Sequence, residues 1–140
     1  MVLTQTGEYA LRAVLFIAGP GAGRTVRGEE IAAQLGIPPS YLAKTLQILV
    51  REGVLASTRG RSGGFRLAIP AGRLTLMQVV APFDETGKRH CLLGRTTCSD
   101  KTACAVHHAW KATAERITEF FRVTTVASLK SPVEQIAPLA

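Results

Sequence analysis

The feature that most restricts the fold of this chain is a pair of short helices followed at once by a glycine-rich, basic hairpin. Apolar spacing predicts helices over residues 28–35 and 41–51, joined by a turn that contains glycine and proline. Two strands are predicted over residues 54–58 and 65–69, on either side of a loop whose glycines permit positive φ. The two helices alone would also suit an ordinary helical hairpin, but with the basic hairpin they are typical of a winged helix-turn-helix. The sequence therefore predicts DNA binding.

A winged helix places its second helix in the DNA major groove and its hairpin over the backbone or the minor groove. On that helix we predict five DNA-facing side chains: Ser40, Tyr41, Lys44, Thr45 and Gln47. Glutamine can pair with adenine through two hydrogen bonds, and lysine can reach guanine or phosphate. In the hairpin loop, Arg59 and Arg61 suit phosphate contacts or a narrow minor groove.

The charge of the chain is positive and uneven. The formal net charge is +7, and between Arg24 and Arg73 eight basic residues stand against three acidic ones. The segment after Arg73 is close to balanced, with eight basic and six acidic residues. A basic segment beside a nearly neutral one is typical of a nucleic-acid-binding half, although a solvated basic surface would have the same charge.

Nothing in the sequence predicts membrane association, secretion or catalysis. The charge-free apolar stretch near the start, residues 13–23, is too short to span a bilayer and contains Pro20. The first residues include Glu8 and no basic region, unlike a secretory signal. We find no paired carboxylates, no nucleophile beside a base and no phosphate-binding glycine loop. A cytoplasmic, soluble protein that is not an enzyme is therefore predicted.

The winged-helix pattern is preceded by one helix and followed by a loop and a long helix. Residues 6–18 predict a first helix, with Thr6 as its cap, and residues 74–80 a short later one. Residues 84–103 are polar and show little periodicity, and a loop of that length in a small domain is usually functional or disordered. A long helix is predicted over residues 103–123.

The long helix is predicted to be the dimer element, because it follows a complete DNA-binding unit and has a broad apolar face. The predicted dimer contacts are Val106, Trp110, Ile117, Phe120 and Phe121. Helix-turn-helix proteins commonly dimerise to span two half-sites, so we expect a homodimer on palindromic double-stranded DNA. The alternative is a helix folded back on its own core. The predicted organisation is a winged helix-turn-helix in residues 1–80, a cofactor-binding loop in 81–104, and a dimerisation helix and tail in 105–140. The predicted fold class is thus mainly α with a small β-hairpin wing.

Three cysteines and one histidine occur close together in the loop and at the start of the long helix: Cys91, Cys98, Cys104 and His107. An iron–sulfur cluster accepts such wide spacings, because its ligands hold different irons and histidine can replace cysteine. Zinc would accept the same four ligands, but structural zinc sites favour CxxC pairs, and this sequence has none. Redox-active thiols without a metal are the third interpretation.

Taken together, these motifs resemble the bacterial winged-helix regulators typified by IscR, the iron–sulfur cluster regulator, and NsrR, the nitric-oxide-sensitive repressor (the Rrf-two family). The resemblance covers roughly residues 3–129. It rests on residues 3–13 of the first helix, 36–42 of the turn, 59–67 of the wing and the run from Cys104 to Trp110, besides the cysteines. It implies a homodimer with crossing C-terminal helices, and a cluster near the interface whose occupancy controls affinity for DNA. The implied signals are iron–sulfur supply, nitric oxide or redox state.

The resemblance also implies the ligands of the cluster. Cys91, Cys98 and Cys104 fall where the family keeps cluster ligands, and His107 falls where IscR-like members place the fourth ligand of a [2Fe–2S] cluster. Other members take that ligand from the first helix of the partner subunit, at the position that Glu8 occupies here. The run from Cys104 to Trp110 favours His107 over Glu8, and [2Fe–2S] over [4Fe–4S].

The sequence departs from the family pattern at two places. Six residues separate Cys91 from Cys98, where five are expected, so the loop must bulge or the cluster type must differ. Ala43 stands where IscR-like members carry a glutamate that makes DNA selection depend on the cluster. The alternative function is a winged-helix repressor with no cluster, controlled by zinc, by thiol redox chemistry or by a protein partner.

Overall fold

A computed structural model describes residues 3–19, 23–85, 87–129 and 133–137 of the 140-residue chain. Its regular elements follow one another in the order α1 (Gln5–Ile17), α2 (Gly28–Leu35), α3 (Pro39–Arg51), β1 (Leu55–Thr58), β2 (Gly64–Leu67), α4 (Leu76–Val80), α5 (His107–Val123) and α6 (Val133–Ile136). Two 3-10 turns, Asp100–Thr102 and Val126–Leu129, flank α5. The predicted fold class, mainly α with a small antiparallel hairpin, is confirmed.

Helix α1 is the centre of the core and packs against α2, α3, α4 and α6. The core cluster draws apolar side chains from each of these helices, among them Val14, Ile17, Ile31, Leu35, Leu42, Leu46, Leu49, Val79 and Ile136. Helix α5 packs on α4 and contributes Phe121 to the same cluster. Helices α2 and α3 and the long helix α5 therefore share one hydrophobic core. No helix among the described residues is long and apolar enough to cross a membrane.

The hairpin is joined to the helices through a close backbone contact. Strands β1 and β2 pair antiparallel, with Thr58 opposite Gly64, and Val26 forms a bridge with Phe65 on the other side of β2. Gly64 has a φ of +145°, and a Cβ atom there would lie 2.4 Å from the Val26 carbonyl oxygen. Glycine is therefore required where the segment before α2 approaches the wing.

Replacing Gly64 by alanine should lower the free energy of unfolding by about 2–3 kcal/mol. Alanine would have to adopt a φ that it disfavours, and the segment at Val26 would have to move away from β2. Urea denaturation followed by circular dichroism measures the change. Gly72→Ala is the matched control, since a Cβ there meets no atom within 4 Å, and it should change stability by less than about 0.5 kcal/mol. Equal stabilities of the two variants would contradict this account of the wing.

The structure differs from the sequence predictions at the start of two helices. Helix α1 begins at Gln5, and its capping side chain is Thr4, which accepts a hydrogen bond from the Gly7 amide, rather than Thr6. Helix α5 begins at His107 rather than at residue 103, because Ala103 has extended backbone angles that end the preceding 3-10 turn. Pro20 and residues 130–132 and 138–140 of the predicted tail lie outside the described residues.

Candidate DNA-binding surface and cysteine site

One exposed face of α3 carries most of the predicted base-reading side chains. Ser40, Lys44 and Gln47 are exposed, and their three- and four-residue spacing places them on one side of the helix together with Ala43. This face opens onto a cleft of about 340 Å³ between α2, α3 and the wing. Among the hydrogen bonds between described residues, none involves the side chain of Ser40, Lys44 or Gln47. No intramolecular partner in that part of the chain therefore competes with DNA for these side chains.

Two residues predicted to face DNA are instead tied to the protein. Thr45 is only 1% exposed, and its hydroxyl donates to the Tyr41 carbonyl oxygen, so the structure does not place it on the DNA-facing surface. The Tyr41 hydroxyl lies 2.6 Å from the Thr6 hydroxyl, and its ring packs edge-on against Tyr9 at 5.5 Å. Tyr41 therefore connects the start of α3 to α1, although part of its surface remains exposed.

The wing carries both arginines that were predicted to contact DNA, and a third arginine contacts the wing from the segment before α2. Arg59 and Arg61 are exposed in the loop between β1 and β2. Arg27, immediately before α2, lines the same cleft, and its guanidinium donates to the Arg61 carbonyl oxygen at 3.0 Å. Sequence reasoning missed Arg27 as part of this surface, because only the fold brings the start of α2 next to the wing.

The predicted metal ligands come together as two pairs. The sulfur atoms of Cys91 and Cys104 lie 3.9 Å apart, and Cys98 Sγ lies 3.6 Å from His107 Nδ1. All three cysteines are free and half-buried, and His107 is 2% exposed. The loop turns directly after Cys91, at Gly94, where φ is +76° and the backbone amide donates to the Cys91 carbonyl oxygen at 3.0 Å.

The buried imidazole is contacted on both of its nitrogens. His107 Nε2 lies 2.7 Å from Asp100 Oδ1, opposite the nitrogen that faces Cys98. Lys111 donates to the same carboxylate at 3.0 Å. The hydrogen bond from His107, and then the bond and charge of Lys111, lower the pKa of Asp100 to about 2, so this carboxylate is ionised at neutral pH.

Hydrogen-bond donors of two arginines, Arg89 and Arg95, contact two of the thiols. Arg89 donates from Nε to Cys98 Sγ at 3.1 Å and from Nη2 to the Cys98 carbonyl oxygen at 3.3 Å, and it also contacts Glu115 of α5. The Arg95 amide is the main group that lowers the pKa of the Cys91 thiol, and burial opposes it. The lowered pKa favours the thiolate of Cys91, the form of cysteine that binds metals.

The donor set fits an iron–sulfur cluster. When a metal binds tetrahedrally with bonds of about 2.3 Å to sulfur and about 2.0 Å to nitrogen, two of its ligand atoms lie about 3.6–3.8 Å apart. The Cys91–Cys104 and Cys98–His107 separations match these values closely. A two-iron cluster needs two such ligand pairs.

Helix α5 also presents an exposed apolar surface. Phe120 is 49% exposed and Val123 60%, whereas Phe121 is buried in the core of its own chain. The other predicted dimer contacts, Val106, Trp110 and Ile117, are half-buried. Of the five, Phe121 is therefore not available for an interface, and Val123 is an exposed residue that the periodicity did not single out.

Glu8, the alternative fourth ligand, lies on α1 beside this surface. It pairs with Arg12 at 3.8 Å and lines a groove with Ile117 and Phe120. Among the contacts between described residues of one chain, none joins Glu8 to a cysteine. Any role for Glu8 as a ligand would therefore require a second subunit.

Comparison with known proteins decides the family. The profile described as "Rrf2: Iron-dependent Transcriptional regulator" matches residues 3–132. The chain belongs to the Rrf2 family. A putative HTH-type transcriptional regulator of Aquifex aeolicus (strain VF5) is 36% identical over 132 residues, which cover 92% of this chain and 91% of that protein. The HTH-type transcriptional regulator IscR of Vibrio vulnificus (strain YJ016) is 34% identical over 136 residues, 97% of this chain and 81% of the relative.

Solved structures share the Rrf2 fold at lower sequence identity. CymR, the global cysteine regulator of B. subtilis, superposes with a TM-score of 0.76 at 18% identity, covering 91% of this chain and 94% of CymR. T. potens IscR superposes with a TM-score of 0.68 at 20% identity, covering 91% and 84%. The Rrf2 protein described here is therefore a transcriptional regulator that binds DNA, and the prediction that it is not an enzyme is confirmed by its relatives.

Proposed function

We propose that this Rrf2 protein is a cytoplasmic homodimer that binds a palindromic operator, with an affinity set by an iron–sulfur cluster on Cys91, Cys98, Cys104 and His107. The single observation that carries the proposal is the arrangement of these four residues as two ligand pairs, 3.9 and 3.6 Å apart. Two pairs favour [2Fe–2S], because each iron of such a cluster takes two protein ligands. When bound, the cluster supplies a centre that responds to iron–sulfur supply, nitric oxide or redox state.

The protein's own contacts connect the cysteine loop to α5. Trp110 Nε1 donates to the His90 carbonyl oxygen at 2.6 Å, Lys111 contacts Asp100, and Glu115 contacts Arg89. These contacts join successive turns of one helix face to the loop. We propose that ligation acts on α5 through these contacts.

A second set of contacts leads from the loop to the recognition helix. Asp84, where the loop begins, accepts hydrogen bonds from the Thr4 amide at 2.9 Å and the Thr4 hydroxyl at 3.2 Å. Thr4 caps α1, and α1 holds Tyr41 of α3 through Thr6 and Tyr9. Helix α1 is thus the element through which we propose that the loop biases the position of α3.

The dimer is proposed on α5, with Phe120 and Val123 as its apolar contacts. In the described part of one chain these two side chains lack a covering element and are more exposed than aromatic and aliphatic residues usually are. A dimer built here would present two copies of α3 to two half-sites.

The test is the ultraviolet–visible spectrum of anaerobically purified protein, with iron and sulfide counted per monomer and DNA binding measured on the same sample. Visible absorption with equal amounts of iron and sulfide, and an operator affinity that changes when the cluster is removed, is the expected result. A colourless protein that contains neither after reconstitution, yet binds its operator, would exclude cluster control.

Control by thiol oxidation or zinc is the second candidate function, and two observations favour thiol oxidation. The Cys91 and Cys104 sulfurs are close, and the pKa of the Cys91 thiol is lowered, both of which favour disulfide formation by an oxidant such as a low-molecular-weight disulfide. Thiol titration before and after oxidation, with zinc measured by mass spectrometry, separates this candidate from the cluster.

A further inference from the structure

We propose that Asp100 is the positioning residue of the cysteine site: its carboxylate fixes the His107 ring so that Nδ1 presents its lone pair toward Cys98. This inference rests on the proposed function and adds to it the residue that prepares the histidine as a ligand. The 3-10 turn that contains Asp100 lies between Cys98 and Cys104, so one short segment carries two ligands and the group that orients a third.

The hydrogen-bonding needs of a neutral imidazole support the assignment. One ring nitrogen carries the hydrogen and the other accepts, and the neighbours decide which. Asp100 Oδ1 can only accept when ionised, and it lies 2.7 Å from Nε2. A hydrogen therefore resides on Nε2, and in the neutral ring Nδ1 is then the nitrogen with the free lone pair, 3.6 Å from Cys98 Sγ. Histidines that bind metals are commonly held in this way by a carboxylate on the other nitrogen.

Burial makes the contact with Asp100 decisive for His107. The ring is 2% exposed, so Asp100 rather than solvent is the partner of Nε2 in the wild type, while the Asp100 side chain is itself 60% exposed. Lys111 donates to both carboxylate oxygens, at 3.2 and 3.0 Å, and so holds Asp100 in place from the next turn of α5. His108, the adjacent histidine, is exposed and contacts His107 only edge-on, with ring centroids 5.1 Å apart. A ring nitrogen of His108 also lies within 4.8 Å of the Asp100 carboxylate, but the 2.7 Å hydrogen bond of that carboxylate goes to His107.

The first experiment needs no metal. Long-range ¹H–¹⁵N correlation spectra of the metal-free protein at pH 8 report which nitrogen of His107 carries the hydrogen. We expect the Nε2–H form in the wild type and a mixture of both forms, or the Nδ1–H form, in Asp100→Ala. A wild-type His107 that is doubly protonated, or that carries its hydrogen on Nδ1, would overturn the proposal.

The second experiment measures how fast the reconstituted protein loses iron to an excess of chelator, followed by the visible absorption. Asp100→Ala should lose iron about 10–100-fold faster than the wild type, and Asp100→Asn should lie between them, because the amide accepts a hydrogen bond but no longer excludes the other tautomer. Glu119→Gln is the matched control, since Glu119 is an exposed α5 carboxylate paired with Arg122, and it should lose iron at the wild-type rate.

The two readouts separate the possible failures. If the wild type takes up no cluster, the proposed function fails, and the nitrogen spectra alone decide whether Asp100 fixes His107. If the wild type holds a cluster and Asp100→Ala releases iron at the same rate, the positioning role is wrong while the cluster remains. Thermal unfolding of each metal-free variant should stay within about 2 °C of wild type, which excludes general unfolding as the cause.

Discussion

Replacing Arg59 and Arg61 together by glutamate is expected to weaken operator binding at least a hundredfold at about 0.1 M salt. Each phosphate contact of a cationic side chain contributes a factor of about eight at this salt concentration, because binding releases a condensed counterion. In the proposed dimer the substitution removes up to four such contacts, two in each subunit, which together correspond to a factor of up to about 4,000, and the new carboxylates add repulsion to the DNA backbone. Both side chains are exposed in the wing loop, so the folded structure should be unaffected.

Fluorescence anisotropy with a labelled operator at several salt concentrations measures both the affinity and its salt dependence. In the wing variant the slope of log K against log salt should fall in magnitude by up to about 3.6, which is about 0.9 for each of the four contacts in the dimer. The matched control is the pair Arg73→Glu and Lys88→Glu, which changes the net charge by the same amount at two exposed positions away from the cleft. If the control weakens binding as much as the wing variant does, the wing has no specific role.

Replacing Cys98 by alanine is expected to abolish stable cluster binding without unfolding the DNA-binding half. Cys98 is half-buried in the loop and is not part of the core cluster, so its loss removes a ligand but few packing contacts. Iron and sulfide per monomer should fall below about a tenth of wild type under identical anaerobic reconstitution. The operator affinity should then equal that of the metal-free wild type.

Two further measurements test whether the loss of the cluster in Cys98→Ala is specific to that side chain. The thermal unfolding midpoint should change by less than about 2 °C, since the substitution lies outside the core. Thr102→Ala, in an exposed position of the same loop, is the control and should keep the full cluster content. Full iron and sulfide content in Cys98→Ala would show that the cluster, if present, has other ligands.

The local pattern of the chain was sufficient for the order of elements. The helices around the turn, the hairpin and the long C-terminal helix were all predicted, because each depends on short-range periodicity, glycine and proline. The starts of α1 and α5 were predicted less well, since several threonines could cap α1 and Ala103 has good helix propensity. Helix α6 was missed because it has only four residues and is held by the packing of Ile136 on α1 and α2.

The predicted DNA-facing surface shows that helical periodicity alone does not settle which polar side chains of α3 are exposed. Ser40, Lys44 and Gln47 were predicted to be exposed and are exposed. Thr45 was predicted with them, but a polar residue one position from an exposed one can turn toward the core when its hydroxyl bonds to the carbonyl four residues back, as it does here. Arg27 could not be assigned to the surface, because its neighbours in the wing are more than thirty residues away along the chain.

By itself, the sequence determined that the chain contains a winged helix-turn-helix, a basic wing and four residues able to bind a metal, because residue type and spacing carry that information. Only the tertiary structure decided that Cys91 lies by Cys104 and Cys98 by His107. It also decided that Asp100 contacts the other ring nitrogen of that histidine, and that α1 joins the loop to α3. The loop between α4 and α5 has no periodicity from which these contacts could be inferred. They depend on where the packing of α5 on α4 brings the loop, and on the few hydrogen bonds that hold it there.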